Sequence, residues 1–563
     1  MTTGTLLVEK DAAGAILAFT EGLSFWGGVD PDTGVIIDAH HPNHGASIAG
    51  RVVMMQTSRG SCSGSGVLLQ LAQNGMAPAA LVFSEPEEIL TLGAMIAERL
   101  FDHALAVIHL DPAVFAEMAC ASSAQITGTT LVYDGQTVAL ARPLTQELTL
   151  TDGDTRMLAG DDGSAVQVAM EVICLLALAQ GARALTDVSR GHIDGCILAH
   201  DANLNFAEKM FQMGARTRIP TTINAISVDR ENWESQNVVP VFGSKASRLA
   251  DAYVGMGARP TFTCAPYLLD NTPQEGEAIG WSESNAVIYA NSVLGARTQK
   301  HPDYLDLFIA MTGRAPHTGV YLAENRAPTC EIRVQLPTTY DDAIWPMLGW
   351  LAGMKSPNGI PIITGLETAQ PTPDDLKALC AAFGTTSAAP MVHVRGHTPE
   401  AEVETPVDVA LFDVTAADLA EVWTTLNTGG AQVDLVAIGS PHASLSECRM
   451  FAAFLDGAQC SPQTNTIVTL GREVLARATS EGIVERLENA GVRVIPDICW
   501  CSITEPIFPP EAQVLMTNSG KYAHYATGLT GRAVRFGGLK ACADAALSGR
   551  APIGVPPWLE QVS

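Results

Sequence analysis

The sequence predicts an α/β protein: a β-rich unit over residues 1–145, then a large multi-layer α/β/α part over residues 150–563 with mostly parallel sheets. Three observations carry this. Short apolar runs separated by Gly, Pro and Asp crowd the first 145 residues. From about Leu150, amphipathic helical patterns alternate with apolar strands, as open parallel sheets flanked by helices require. A chain of 563 residues with 47% hydrophobic and 17% charged content is long enough for several large cores and too apolar to be disordered.

In the first part, Ile16–Phe19, Gly34–Asp38, Arg51–Met55, Ala80–Phe83 and Ala106–Leu110 read as strands. Pro86–Leu100 reads as a helix, and Thr127–Val132 with Thr137–Ala141 as a hairpin turning at Asp134-Gly135. Arg142 to Asp154 is polar and turn-rich, and serves as the linker. Beyond it, Asp162–Gln180 and Ala202–Met213 are predicted helices. Pro220–Ile226, Pro260–Cys264, Met391–Val394, Val433–Ile438 and Val492–Ile498 are predicted strands. No repeat or low-complexity tract interrupts the pattern.

Charge and composition narrow the partners. A formal net charge of −27 repels nucleic acid and anionic membrane, so neither is expected to bind. The longest apolar stretch, Val166 to Ala179, is broken by Gln167 and Glu171 and is too short to span a bilayer. The first residues lack the basic and apolar regions of a signal peptide, so a cytoplasmic location is expected. Twelve widely spaced cysteines then read as reduced thiols or metal ligands, not a disulfide framework.

The chemistry concentrates where strands stop. After Arg51–Met55 comes a loop with Ser58, Arg59, Gly60, Ser61, Cys62, Ser63, Gly64, Ser65 and Gly66, opening a helix at Val67 that Gly75 closes. Glycines admit a ligand close to the backbone, and amides at a helix start favour an anion or alkoxide. Cys264 and Cys499 stand at predicted strand ends far apart in sequence, a pattern suited to metal ligation, and Cys501 follows two residues later. Gly439-Ser440-Pro441-His442 ends another strand, with Ser444 and Glu447 as a capping box for the next helix. Lys521 falls in the first turn of a helix capped near Asn518-Ser519, where a cation opposes the helix dipole and makes sense beside a bound anion. Ser189 to Cys196 is a second polar, Gly-containing loop. Cys120, Cys174, Cys330, Cys380, Cys448, Cys460 and Cys542 read as packing residues.

Five separated segments, in order, resemble the aconitase X family of the aconitase superfamily. They are Ser58-Arg59-Gly60-Ser61, Phe262 to Leu268, Gly280 to Ala286, Ala290 to Thr298 and Thr517 to Lys521. The resemblance covers nearly the whole chain. It implies a small swivelling domain over 1–145 and a large aconitase-like catalytic domain over 150–563, with no separate small subunit needed. The family's single-chain form dehydrates cis-3-hydroxy-L-proline to Δ1-pyrroline-2-carboxylate, and the fusion here favours that activity. Mevalonate 5-phosphate dehydration, the activity of its two-subunit form, is the alternative. An iron-sensing binding protein is a remote third reading, opposed by the net charge.

By that resemblance Ser61 is the proton-abstracting base. Gly195, Cys196, Asn224, Glu283, Ser284 and Lys521 contact a small cyclic hydroxy amino acid, and Cys264 and Cys499 are ligands of an iron–sulfur cluster. The family's archaeal thiolate position is Ser440 here, which leaves Cys501, Cys196 or Ser440 as third ligand, Cys501 being preferred. The available thiols fit [2Fe–2S]. Loss of hydroxide from C3 needs a Lewis acid, and a serine base needs its alkoxide stabilised by helix amides and by Arg59. Closure of the small domain over the large one is expected to assemble the two halves.

Overall fold

The computed structural model describes residues 4–402 and 409–560. By packing, the chain divides into two compact units. One comprises residues 1–221, 251–258 and 301–319, and the other residues 222–250, 259–300 and 320–563. The stretch 142–154 lies inside the first unit.

The first unit is built on an eight-stranded mixed sheet. Its parallel centre joins Ala12–Ala18, Val52–Met54, Ala80–Phe83 and Ala106–Leu110. Gly4–Val8 pairs antiparallel on the outer side of Ala106–Leu110. The meander Ser123–Thr127, Thr130–Tyr133 and Gln136–Ala139 continues from Ala12–Ala18. The sequence places the four central strands and the hairpin within a few residues but not Gly4–Val8 or Ser123–Thr127, and the hairpin turns at Asp134 and Gly135, both with positive φ. Val52, Val53 and Met54 are completely buried, as a central parallel strand requires.

The second unit holds two all-parallel sheets. One, of four strands, has Cys330–Val334 and Pro361–Thr364 at its centre, with His393–Val394 and Ala410–Val414 outside them. The other has five strands in the spatial order Val492–Pro496, Asn465–Leu470, Leu435–Ile438, Val514–Thr517, Ala533–Phe536. Here the chain winds outward from Leu435–Ile438 in one direction, then returns to its other side with Val514–Thr517. Such a reversal leaves a crevice beyond the carboxyl ends of the two adjacent strands. The loops at those ends are Gly439–His442 and Asn518–Ser519, the latter opening the helix that carries Lys521. Helix Leu445–Leu455 covers this sheet with Cys448, Phe451, Ala452 and Leu455, and its Ser444/Glu447 capping box forms as expected.

Three local expectations differ from what forms. The first helix starts at Gly64 and not Val67, so Ser65 and Gly66 belong to its first turn. Gly66 is required there, since a Cβ would lie 2.9 Å from the Tyr304 hydroxyl. Pro260–Cys264 joins no ladder: Pro260 has no amide to donate, and Phe262 takes φ +40°, which breaks the pleat. Within the polar loop expected at 189–196, Gly191–Ile193 is instead a fully buried strand. No single helix among the described residues is long and apolar enough to cross a membrane.

Candidate functional site

In the first unit, Ser61 lies in the loop between strand Val52–Met54 and helix Gly64–Gln73. Gly60 takes φ +92° to bring it there. The Ser63 amide, at the N-cap of that helix, donates to Ser61 Oγ at 3.3 Å, so the expected amide support is directed at this hydroxyl. Ser65 is completely buried, and its hydroxyl meets the carbonyls of Cys62 (3.1 Å) and Asp303 (3.2 Å), a structural role. Arg59 does not serve Ser61 directly: its guanidinium is paired with Glu21 (3.2 Å) and Asp38 (3.3 Å). Glu87 ties the same loop to the next helix, accepting from Ser58 Oγ (2.6 Å) and from the amides of Leu90 and Thr91 (2.8 and 2.9 Å).

Cys62 Sγ lies 3.5 Å from Asp194 Oδ2, which brings the Ser61 loop to the Gly195-Cys196 segment. The Asp194 and Gly195 amides both bond to the buried Asp306 carboxyl, whose pKa burial pushes up to about 7. Cys196 is buried and its thiol is held well above its ordinary pKa by desolvation, then by the nearby Asp194; its Sγ points to Ile193 O at 3.9 Å. Burial pushes His192 down to about 3 and keeps its ring neutral.

In the second unit, Ala225, Cys264 and Cys499 form one buried cluster with Cys501 packed against it. The three thiols are hydrogen-bonded: Cys264 and Cys501 donate to Cys499, which is thereby the first to ionise, and its two donors are held protonated. Backbone amides reach the sulfurs as well, from His442 to Cys264 Sγ (3.3 Å) and from Cys501 to Cys499 Sγ (3.5 Å). All twelve cysteines are free thiols.

The two cysteine-bearing turns are alike in a second respect. Two residues before each cysteine stands a non-glycine residue with positive φ: Phe262 at +40° and Asp497 at +71°. Such conformations persist only where surrounding contacts over-determine them. Arg472 supplies part of that restraint, with its guanidinium 5.0 Å over the Phe262 ring and bidentate to Asp497, both bonds at 2.7 Å.

Lys521 lies in the first turn of helix Gly520–Thr530, capped by Ser519 as expected. Its Nζ donates to Glu283 Oε1 at 2.6 Å. Burial alone would lower the Lys521 pKa, but Glu283 and the three thiols hold it well above the ordinary value. Glu283 caps helix Ser284–Ser292 by accepting from the Asn285 amide (3.1 Å), and the Asn285 side chain donates both to Glu283 and to Cys264 O (3.0 Å). Asn224 precedes Ala225 of the thiol cluster and is buried, with Oδ1 accepting from the Ala225 amide at 2.7 Å. Cys264, Cys499, Cys501, Asn224, Glu283 and Lys521 are thus placed together, with Ser284 opening the helix that Glu283 caps.

Sequence reasoning gave no site role to His442, Thr263, Asn285, Trp500 or Tyr522. Each neighbours or contacts a residue it did select. Trp500 Nε1 donates to Ile438 O (2.8 Å), pinning the residue between the two cysteines to the end of the central strand. The Tyr522 hydroxyl is pushed up in pKa by burial and by Cys501 and Cys499. Among the described residues, Ser282 Oγ, Ser440 Oγ and Tyr522 Oη are buried without a hydrogen-bond partner. Buried polar atoms are rarely left so. Standing next to Glu283, near His442 and next to Lys521, they suit a polar group that the chain itself does not contain. Three converging thiols and inward-pointing amides are also a donor set suited to an iron–sulfur group.

Family models cover most of the chain: Aconitase X swivel domain over 1–133, first domain over 147–324, second over 328–424 and third over 433–548. The chain belongs to the aconitase X family. It is similar to cis-3-hydroxy-L-proline dehydratase of Pseudomonas aeruginosa, at 45% identity over 99% of this chain and 98% of that one. It is also similar to the phosphomevalonate dehydratase large subunit of Methanothermobacter thermautotrophicus, at 33% identity over 67% of this chain and 94% of that one. Among solved structures, aconitase X of Thermococcus kodakaraensis in its holo form matches with a TM-score of 0.65 and 30% identity. That match covers 72% of this chain and all of the other.

Proposed function

We propose that this chain is a hydro-lyase that dehydrates cis-3-hydroxy-L-proline to Δ1-pyrroline-2-carboxylate, using a [2Fe–2S] cluster held by Cys264, Cys499 and Cys501. The observation that carries the reading is the 45% identity, over nearly the whole of both chains, to a relative named for that reaction. In this reading residues 1–145 are the swivelling part that brings Ser61, and residues 150–563 the catalytic part that brings the thiols. No second subunit is needed.

The site residues have the chemistry the reaction asks for. The substrate is a zwitterion whose ring ammonium and carboxylate share the C2 carbon. The largely buried Lys521/Glu283 pair offers one charge for each, and so holds C2 by both substituents. Lys521 also spreads the charge that develops when the C2 proton leaves. Ser61 takes that proton, its alkoxide supported by the Ser63 amide. Cys264, Cys499 and Cys501 would hold the cluster, which would supply Lewis acidity toward the 3-hydroxyl. Loss of the proton and of hydroxide leaves the enamine, which tautomerises to the cyclic imine; one water is released overall. Asn224, Ser284 and the Gly195-Cys196 backbone complete the contacts.

Mevalonate 5-phosphate carries a carboxylate and a phosphate and no cation. The carboxylate of Glu283 disfavours it, and a phosphate calls for more than the single cation of Lys521. The test is turnover by anaerobically purified protein. Cis-3-hydroxy-L-proline should be consumed and trans-4-hydroxy-L-proline left untouched, because only the former carries its hydroxyl β to the acidic proton. Faster turnover of mevalonate 5-phosphate would reverse the assignment.

A further inference from the structure

His442 is fully buried, and neither ring nitrogen is open to a metal. Ile498 O can only accept, so the ring Nε2–H donates to it, at 2.8 Å. That leaves Nδ1 as the acceptor for the Thr263 hydroxyl at 3.2 Å. Thr263 Oγ1 in turn accepts from the Ala265 amide at 3.1 Å. The chain of bonds therefore touches both neighbours of Cys264 and the residue before Cys499. The backbone amide of His442 adds a fourth link, to Cys264 Sγ itself. His442 is held from behind: Lys377 Nζ reaches its carbonyl at 3.4 Å, and is itself buried between Asp374 (3.1 Å) and Glu447.

We propose that His442 is the positioning residue that holds Cys264 and Cys499 at a fixed separation, ready to receive iron. A ring bridging Thr263 and Ile498 sets the distance between two turns that come from different parts of the chain. Neither turn lies in a ladder at its cysteine; the segment 223–226 joins them by backbone bonds, from Thr263 N to Ile223 O (3.2 Å) and from Ile226 N to Asp497 O (2.7 Å), and the His442 ring is the side-chain link that spans the residues next to both cysteines. Outer partners of metal ligands act in this way, and losing one typically weakens metal binding about 10- to 100-fold. The inference rests on the reading of Cys264 and Cys499 as ligands.

The test uses Co2+ as probe of the cluster-free, reduced full chain, read by the thiolate-to-cobalt absorption, with the melting temperature of the metal-free protein alongside. Relative to the natural protein, His442→Phe should weaken cobalt binding about 10- to 100-fold. His442→Gln, whose side-chain amide can still donate to Ile498 O, should recover part of that loss. Thr263→Val, which removes the hydroxyl on Nδ1 and with it the acceptor of the Ala265 amide, should weaken binding severalfold with a modest fall in melting temperature, and carries the test with His442→Gln if His442→Phe does not fold. Cobalt affinity unchanged in these variants, or lowered equally by Phe and Gln in step with melting temperature, overturns the proposal. A natural protein without any thiolate-to-cobalt band overturns the ligand reading and the proposal with it.

Discussion

Ser61 keeps part of its surface open, and its hydroxyl meets the Ser63 amide at 3.3 Å and, more loosely, the Cys62 thiol at 4.0 Å. Cys264 is almost wholly buried, with hydrogen bonds converging on it through Thr263, Asn285 and His442. Both residues follow a loop with a left-handed turn, at Gly60 in one and Phe262 in the other, yet the turns cost differently. Glycine adopts the conformation freely, whereas phenylalanine needs the Arg472 guanidinium over its ring and a buried setting to stay there. A base must meet its substrate and can be served by a light, accessible loop. Soft thiolates gathered from distant segments have to be held against their mutual repulsion, and that takes burial and many bonds.

Cys264→Ser should break the heavier half most completely: iron and sulfide content, visible absorbance and turnover should all be lost together, as judged by metal analysis and assay. Iron retained at the natural stoichiometry would show that the buried thiols are not the binding site. Ser61→Ala should separate the halves, with the visible spectrum intact and kcat lower by about 10³ or more. Lys521→Met should come next, lowering kcat/KM by about 10² with much of the loss in KM, because a charge-assisted bond to the substrate carboxylate is removed. A kcat/KM within a factor of two of the natural value would remove Lys521 from the pocket. The smallest effect is expected at Glu87→Ala, which frees Ser58 and two helix amides. Stability should fall by about 1–2 kcal/mol in denaturant titration, with kcat reduced only severalfold. A loss as large as that of Ser61→Ala would mean that the serine loop is held far more tightly than its exposure suggests.

Much of this was legible in the sequence, and the limits have physical causes. Apolar runs located three strands of the two parallel sheets of the second unit, at Met391–Val394, Val433–Ile438 and Val492–Ile498, since a strand buried on both faces must be apolar; the other six, such as Cys330–Val334 and Asn465–Leu470, carry polar residues within the run and do not stand out. Pro260–Cys264 misled because its apolar, β-branched composition suits a strand, while Pro260 and the backbone of Phe262 forbid the ladder; φ is not written in residue type. Lys521 stood out as a cation at the wrong end of a helix, and the structure pairs it with Glu283 from 238 residues away. That pairing, like the bond from His442 to Ile498, depends on segments that only tertiary packing brings together. Sequence could name His442 as a residue at a strand end but not show that both its nitrogens were already engaged.

The central claim is that Ser61 abstracts the C2 proton while the buried thiols and Lys521 hold the rest of the reaction. It is tested most directly by incubating cis-3-hydroxy-L-proline in deuterated water with the natural protein and with Ser61→Ala, both carrying their full complement of iron, and following deuterium at C2 of the unreacted substrate together with product formation. The account predicts that Ser61→Ala forms almost no product and leaves C2 fully protonated. Deuterium entering C2 in Ser61→Ala at the natural rate, with product forming slowly, would contradict it and place the base on another residue.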